Sequence, residues 1–314
     1  MGRMKLHPAK TAPVLALLLI APSPDARALD FVTLPVGTGV ASVAVAPDGT
    51  AWFSAQRSGA VGRVAPSGQV SFFPFPARDG EPLGLAIAPD GGVWTAFLSG
   101  DGLGRVGADG TLGEVRLPNA GGEPTCVAAG RDGSVWYTLA AATRVGRRAP
   151  DGTIREFALP EGSEPAAVAV GADGAAWVAE RRGNRVVRIA ADGALSSWAI
   201  PTPNAQPDAI AVGADGALWV AEPNASRIAR VSQDGAIQEI EVANVPYGIA
   251  VARDGSVWFA SPSARKLGRL DPSSRKVSWT ELPGAPVAVA AGLDGSVWVA
   301  LGVGDRLARV PPKG

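Results

Sequence analysis

Histidine and cysteine are almost absent from this 314-residue chain, which has one of each, His7 and Cys126. A single cysteine cannot close a disulfide within the chain. Cys126 also does not follow a leader-cleavage pattern, which excludes an N-terminal lipid anchor. With its only histidine seven residues from the start, the chain lacks the usual proton acceptor near neutral pH. A G-x-S-x-G nucleophile turn is missing as well. Long apolar runs are scarce: Val14–Ile20 is far shorter than the roughly 20 residues a bilayer-crossing helix needs, and no later stretch is both long and uncharged. Nor does one sign of charge dominate, since 29 Lys and Arg balance 29 Asp and Glu. Nucleic acid and anionic membranes call for a clustered positive surface, so neither is expected as a partner.

The N-terminus supplies a different signal. Basic Arg3, Lys5 and Lys10 precede the Val14–Ile20 run, and Ala26-Arg27-Ala28 forms an A-x-A cleavage pattern. Residues 1–28 are therefore expected to be a signal peptide that is removed, leaving residues 29–314 as one exported domain, periplasmic or extracellular. Removing 28 of 314 residues leaves 286, with 25 basic and 28 acidic groups, net −3.

Seven tryptophans set a period: Trp52, Trp94, Trp136, Trp177, Trp219, Trp258 and Trp298 are spaced 42, 42, 41, 42, 39 and 40 residues apart. Seven repeats of about 41 residues account for nearly the whole length after the leader. Aligned on its Trp, every copy has Ala eight residues earlier, Asp-Gly four and three earlier, and Arg eleven later, from Ala44, Asp48-Gly49 and Arg63 to Ala290, Asp294-Gly295 and Arg309. Each copy reads as four short strands: a small apolar strand a, strand b with the Trp, strand c with the Arg, and strand d ending in a Leu-Pro type pair. Asp-Gly between a and b is hairpin chemistry. The fold class predicted is all-β, a seven-bladed β-propeller with four antiparallel strands per blade. The last copy lacks strand d, and Asp30–Leu34 has the matching pattern, so the N-terminal strand is expected to complete the last blade and leave no open sheet edge. The Trp should fill the space between sheets, and the Arg should stack on it or pair with the turn Asp. Cys126, on an apolar strand a, reads as a buried thiol.

The Asp-Gly turns fall on one propeller face and repeat closely, so a ligand site is expected on the other face, where copies differ. Two series are expected to point to the axial mouth there. The residue after the repeat Pro reads Leu83, Thr125, Ala166, Asp208, Tyr247 and Val287, and the residue three after Trp reads Ala55, Phe97, Leu139, Glu180, Glu222, Ser261 and Leu301. The candidate ligand-binding residues are Glu180, Asp208, Glu222, Asn224 and Tyr247. Glu180, Asp208 and Glu222 form a candidate metal set whose oxygen ligands suit Mg²⁺ or Ca²⁺ better than Zn²⁺. The competing reading is that these acids pair with Arg181, Arg182, Arg185 and Arg227 as structural ion pairs.

Pro246-Tyr-Gly-Ile-Ala250, Trp219-Val-Ala-Glu222 and Leu267-Gly-Arg-Leu270 resemble the repeat of the streptogramin B (virginiamycin B) lyase family. The resemblance implies a seven-bladed propeller and a metal-dependent elimination that opens a cyclic depsipeptide ester, with histidines and glutamates at the mouth. Those histidines would follow the repeat Pro, where this chain has Asp208 and Tyr247, and an acid in blade six would fall on Ser261. The expectation is thus a non-catalytic module, monomeric, binding a small molecule, peptide or protein at the propeller mouth. A metal-dependent streptogramin lyase and a metal-dependent lactone hydrolase, the latter on a usually six-bladed scaffold, are the alternatives.

Overall fold

Asp-Gly turns back a strand only if the Asp side chain caps the turn and the Gly takes a positive φ. Both hold in all seven copies of the computed structural model, which describes residues 29–76, 80–119, 121–302 and 304–312. The expected leader, with His7, lies outside the described residues. The first carboxylate oxygen of each turn Asp accepts the backbone N–H two residues on, at 2.9–3.1 Å. Each turn Gly has φ between 77° and 86°, a region costly for a residue with Cβ.

The strands form seven four-stranded antiparallel sheets. Six are consecutive in sequence. The seventh contains Pro286–Ala291, Val297–Leu301, Arg306–Val310 and the N-terminal strand Asp30–Thr33, which pairs with the Arg309 strand in the register Asp30↔Arg309 to Thr33↔Arg306. Closure is therefore as expected. The Asp305 carboxylate reinforces it by accepting the backbone N–H groups of Gly37 and Gly39, both at 2.8 Å.

Within each sheet the repeated Ala, Trp and Arg are cross-strand neighbours, as in Ala169↔Trp177↔Arg188. The Trp packs on the following blade: Trp177 lies among Leu218, Val220 and Ala229 of blade five, and Trp219 among Val257, Phe259 and Leu270 of blade six. In blades two to seven the Arg reaches the second oxygen of the turn Asp at 2.5–3.4 Å. In blades one to four, six and seven its guanidinium carbon sits 5.6–5.8 Å from the Trp ring centre. One Arg thus ties turn to core, and the ring of seven charges is structural.

Two further regularities come from packing. Where the residue after Trp is Phe53, Tyr137 or Phe259, its cross-strand partner is Gly62, Gly146 or Gly268, and a Cβ there would lie 2.0–2.2 Å from the ring. Where that residue is Val178, Val220 or Val299, the partner is Val187, Ala229 or Ala308. In addition, the residue seven after each Trp is left-handed: Gly59, Asp101, Thr143, Asn184, Ser226, Arg265 and Asp305 have φ of 45–61°. Its carbonyl accepts the N–H of the apolar residue that ends strand d, as in Ile200 to Asn184 and Leu34 to Asp305. This bend sets the rim from which the mouth loops rise.

Candidate functional site

The mouth expected from the sequence lies on the face away from the Asp-Gly turns, where strand a begins and strand b ends. Strand a is built for crowding at the axis: a Cβ on Gly84 would meet the backbone of Thr125 and Cys126 in the next blade at 2.8–2.9 Å. The residues after the repeat Pro, Leu83, Thr125, Ala166, Asp208 and Val287, are half-buried there, and Tyr247 is exposed. Cys126 is half-buried with its Sγ 3.9 Å from two carbonyl oxygens, and burial pushes its thiol pKa up, so it is a poor nucleophile.

The second series corrects the expectation of an open mouth. Glu180 and Glu222, like Ala55, Phe97, Leu139, Ser261 and Leu301, are buried between blades rather than facing solvent. The reason is strand alternation. The residue three after Trp lies on the opposite side of the sheet from the Trp and faces the seam with the preceding blade.

Each acid has its own surroundings. Glu180 ends strand Ala176–Glu180 and pairs across to Arg185, whose Nε donates to Glu180 Oε2 at 2.5 Å. Arg185 also donates to Ser163 Oγ at 2.8 Å and to the Pro160 carbonyl at 3.3 Å, fastening the loop between blades three and four. Burial raises the Glu180 pKa, and Ser163 and Arg185 work against that rise. Asp208 lies under Arg181, whose Nε donates at 2.5 Å and whose Nη1 reaches Glu164 at 3.3 Å, so one guanidinium bridges two blades.

Glu222 is the exception. Neither of its carboxylate oxygens accepts a hydrogen bond, and its cross-strand neighbour Arg227 instead binds Glu239 Oε2 at 3.0 Å. Glu239 is held further by the Thr202 N–H and hydroxyl, both at 2.9 Å. Burial, followed by the negative charge of Glu239 and a side-chain hydrogen bond to it that the protonated form donates, pushes the Glu222 carboxyl up to about 8.

The structure therefore supports the ion-pair reading for Glu180 and Asp208 and does not assemble the proposed metal set. Among the described residues, no group of three or more His, Cys, Asp or Glu side chains is placed to hold a metal ion. Glu180 is held by the Arg185 guanidinium and Asp208 by that of Arg181, so these carboxylates are turned to cations of the protein itself. Asn224 is exposed on the 3₁₀ turn Pro223–Ala225, with its backbone N–H on the Ala205 carbonyl, and Tyr247 stands apart at the rim. Sequence reasoning missed Glu164, Ser163, Thr202 and Glu239, which complete these clusters from loops and a d strand where no repeat position marks them.

The sequence profile of the virginiamycin B lyase family matches residues 28–310. The chain belongs to that family. A streptogramin B lyase structure superposes with a TM-score of 0.86 at 28% identity, covering 90% of this chain and 96% of the other. The virginiamycin B lyase of Staphylococcus aureus gives 0.85 at 28% identity, covering 90% and 98%. A catalytically inactive histidine-to-alanine variant of that enzyme, solved with quinupristin, gives 0.85 at 27% identity, with the same coverage. Among curated relatives, the virginiamycin B lyase of Bordetella pertussis is 40% identical over 57 residues, 17% of this chain; the match spans about a fifth (19%) of that relative's length. The family accounts for the seven-bladed scaffold, and no helix among the described residues is long and apolar enough to cross a membrane.

Proposed function

We propose that this chain is an exported member of the virginiamycin B lyase family that binds a ligand at the propeller mouth without opening streptogramin B esters. The observation that carries the reading is the state of the carboxylates where a base would be needed. Glu180 is held by Arg185, Glu222 is buried with its carboxyl pushed up to about 8, and Asp208 lies beneath Arg181. Elimination beside a carbonyl needs an accessible proton acceptor. Replacing one histidine inactivates the S. aureus relative, whereas the only histidine here, His7, lies outside the residues that match the family. What remains at the mouth is a half-apolar rim of Leu83, Ala166, Val287 and Tyr247 beside the Arg181–Asp208–Glu164 bridge, suited to a small molecule or peptide with both apolar and polar groups.

The test is incubation of the purified protein with quinupristin and Mg²⁺, with linear product followed by mass spectrometry. No linearisation above the protein-free rate is expected. Linearisation that disappears in Asp208→Asn would overturn the reading and make the protein a lyase with a carboxylate base.

A further inference from the structure

On the Asp-Gly face, which the repeat makes nearly uniform, blade three departs from the other copies at a position that is core elsewhere. The residue after the repeated Arg is aliphatic in six copies, Val64, Val106, Ile189, Val231, Leu270 and Val310, and every one is buried. In blade three it is Arg148, half-buried, with its guanidinium carbon 5.2 Å above the ring centre of Trp94 in blade two. Trp94 already carries its own Arg105 at 5.8 Å, so one indole supports two like charges. Arg148 stands where six copies place a core aliphatic, and its Nη1 donates to the neighbouring Ala149 carbonyl at 3.2 Å.

Around this break lies a groove of about 560 Å³ between blades two and three, lined by Trp94, Arg105, Arg131 and Arg148 together with small apolar residues such as Ala88 and Pro150. Asp90, Asp132 and Glu114 line the groove as well, and the acids here are engaged. Asp90 is paired with Arg105 at 2.5 Å, Asp132 with Arg147 at 2.9 Å, and Asp151 accepts the Thr153 N–H at 2.9 Å, which together with the more distant charge of Arg148 holds its pKa low. Glu114, at the edge, has a partner of its own. Among the described residues, neither Arg131 nor Arg148 has a carboxylate within ion-pair distance. Two guanidinium groups without an ion-pair partner among the described residues, one of them half-buried beside an indole, in a groove of ligand size make a site for an anionic group attached to a flat apolar body.

We propose that this groove binds a small organic anion, a carboxylate or a phosphate monoester bearing an aromatic or similar apolar group, with Arg148 as its principal contact. The site is separate from the mouth and does not depend on the function proposed there.

Calorimetric titration of the purified protein at low ionic strength with benzoate, phenyl phosphate and uncharged benzyl alcohol tests it, since salt would screen the anion. At least one of the two anions is expected to bind with Kd at or below about 1 mM, and benzyl alcohol not to bind. Which anion binds tells carboxylate from phosphate. Arg148→Leu, which restores the residue type of the other copies, should weaken binding at least about tenfold without lowering Tm. Arg131→Ala should weaken it less, and Arg253→Ala, at the equivalent position in blade six, should leave it unchanged. Binding of neither anion, equal binding of benzyl alcohol, or full affinity in a folded Arg148→Leu would overturn the proposal.

Discussion

Replacing Glu222 by Gln should make the protein more stable at pH 8 and leave it nearly unchanged near pH 5. Glu222 has no exposure, accepts no hydrogen bond and faces the acidic Glu239, and its carboxyl is pushed up from 4.5 to about 8. Below pH 4.5 the group is protonated in both the folded and unfolded chains, and its contribution to stability is fully present. Between the two pKa values the unfolded chain releases a proton that the folded chain keeps, so stability falls as pH rises. Above about pH 8 both states are ionised and the loss is complete. Each pH unit of separation is worth about 1.4 kcal/mol, which sets a ceiling of about 5 kcal/mol over this interval. Movement of Arg227 toward Glu222, or entry of water, would reduce the difference to roughly 2–4 kcal/mol. Gln keeps the shape and cannot ionise, so the variant should gain that amount at pH 8. Urea midpoints followed by tryptophan fluorescence at the two pH values measure it. Equal shifts at both, or a variant less stable at pH 8, would mean that Glu222 is ionised and paired, and the reasoning would be refuted. Some pH dependence should persist in the variant, because burial raises Glu180 in the same direction.

Three other outcomes follow from the packing. Trp177→Ala should cost about 3–5 kcal/mol and Trp198→Ala less, because Trp198 stacks on Trp177 at 5.4 Å but is itself only half-buried; equal losses in denaturation would refute that division of the core. Thr143, β-branched at φ 55°, should gain about 0.5–1 kcal/mol when replaced by Gly, and a lower melting temperature would count against strain at that bend. Asp305→Ala should remove both acceptors for Gly37 and Gly39, cost about 2–3 kcal/mol, and speed amide hydrogen exchange in Phe31–Thr33 relative to the blade-four strands; unchanged exchange would mean that strand pairing alone holds the ring closed.

The period of the tryptophans, the Asp-Gly turns and the missing last strand are local or periodic signals, and from them alone the blade number, strand order and closure could be read. The same holds for the structural role of the Arg eleven after Trp, because seven identical copies leave no asymmetric task for it. The site was less legible. Strand alternation puts the residue three after Trp on the side of the sheet away from the Trp, but only the closed ring shows that this side meets the preceding blade, which makes Glu180 and Glu222 buried residues and not rim residues. The left-handed bend seven after each Trp is occupied by Gly, Asp, Thr, Asn, Ser, Arg and Asp. It left no trace in the sequence because the backbone carbonyl, which every residue has, does the work. Arg148 was visible as a letter, but only the packing of blade three on blade two showed that it stands in a core position beside the indole of Trp94. Periodicity records what every blade needs, whereas contacts between blades join residues about 40 positions apart, and only the closed ring decides which of them meet.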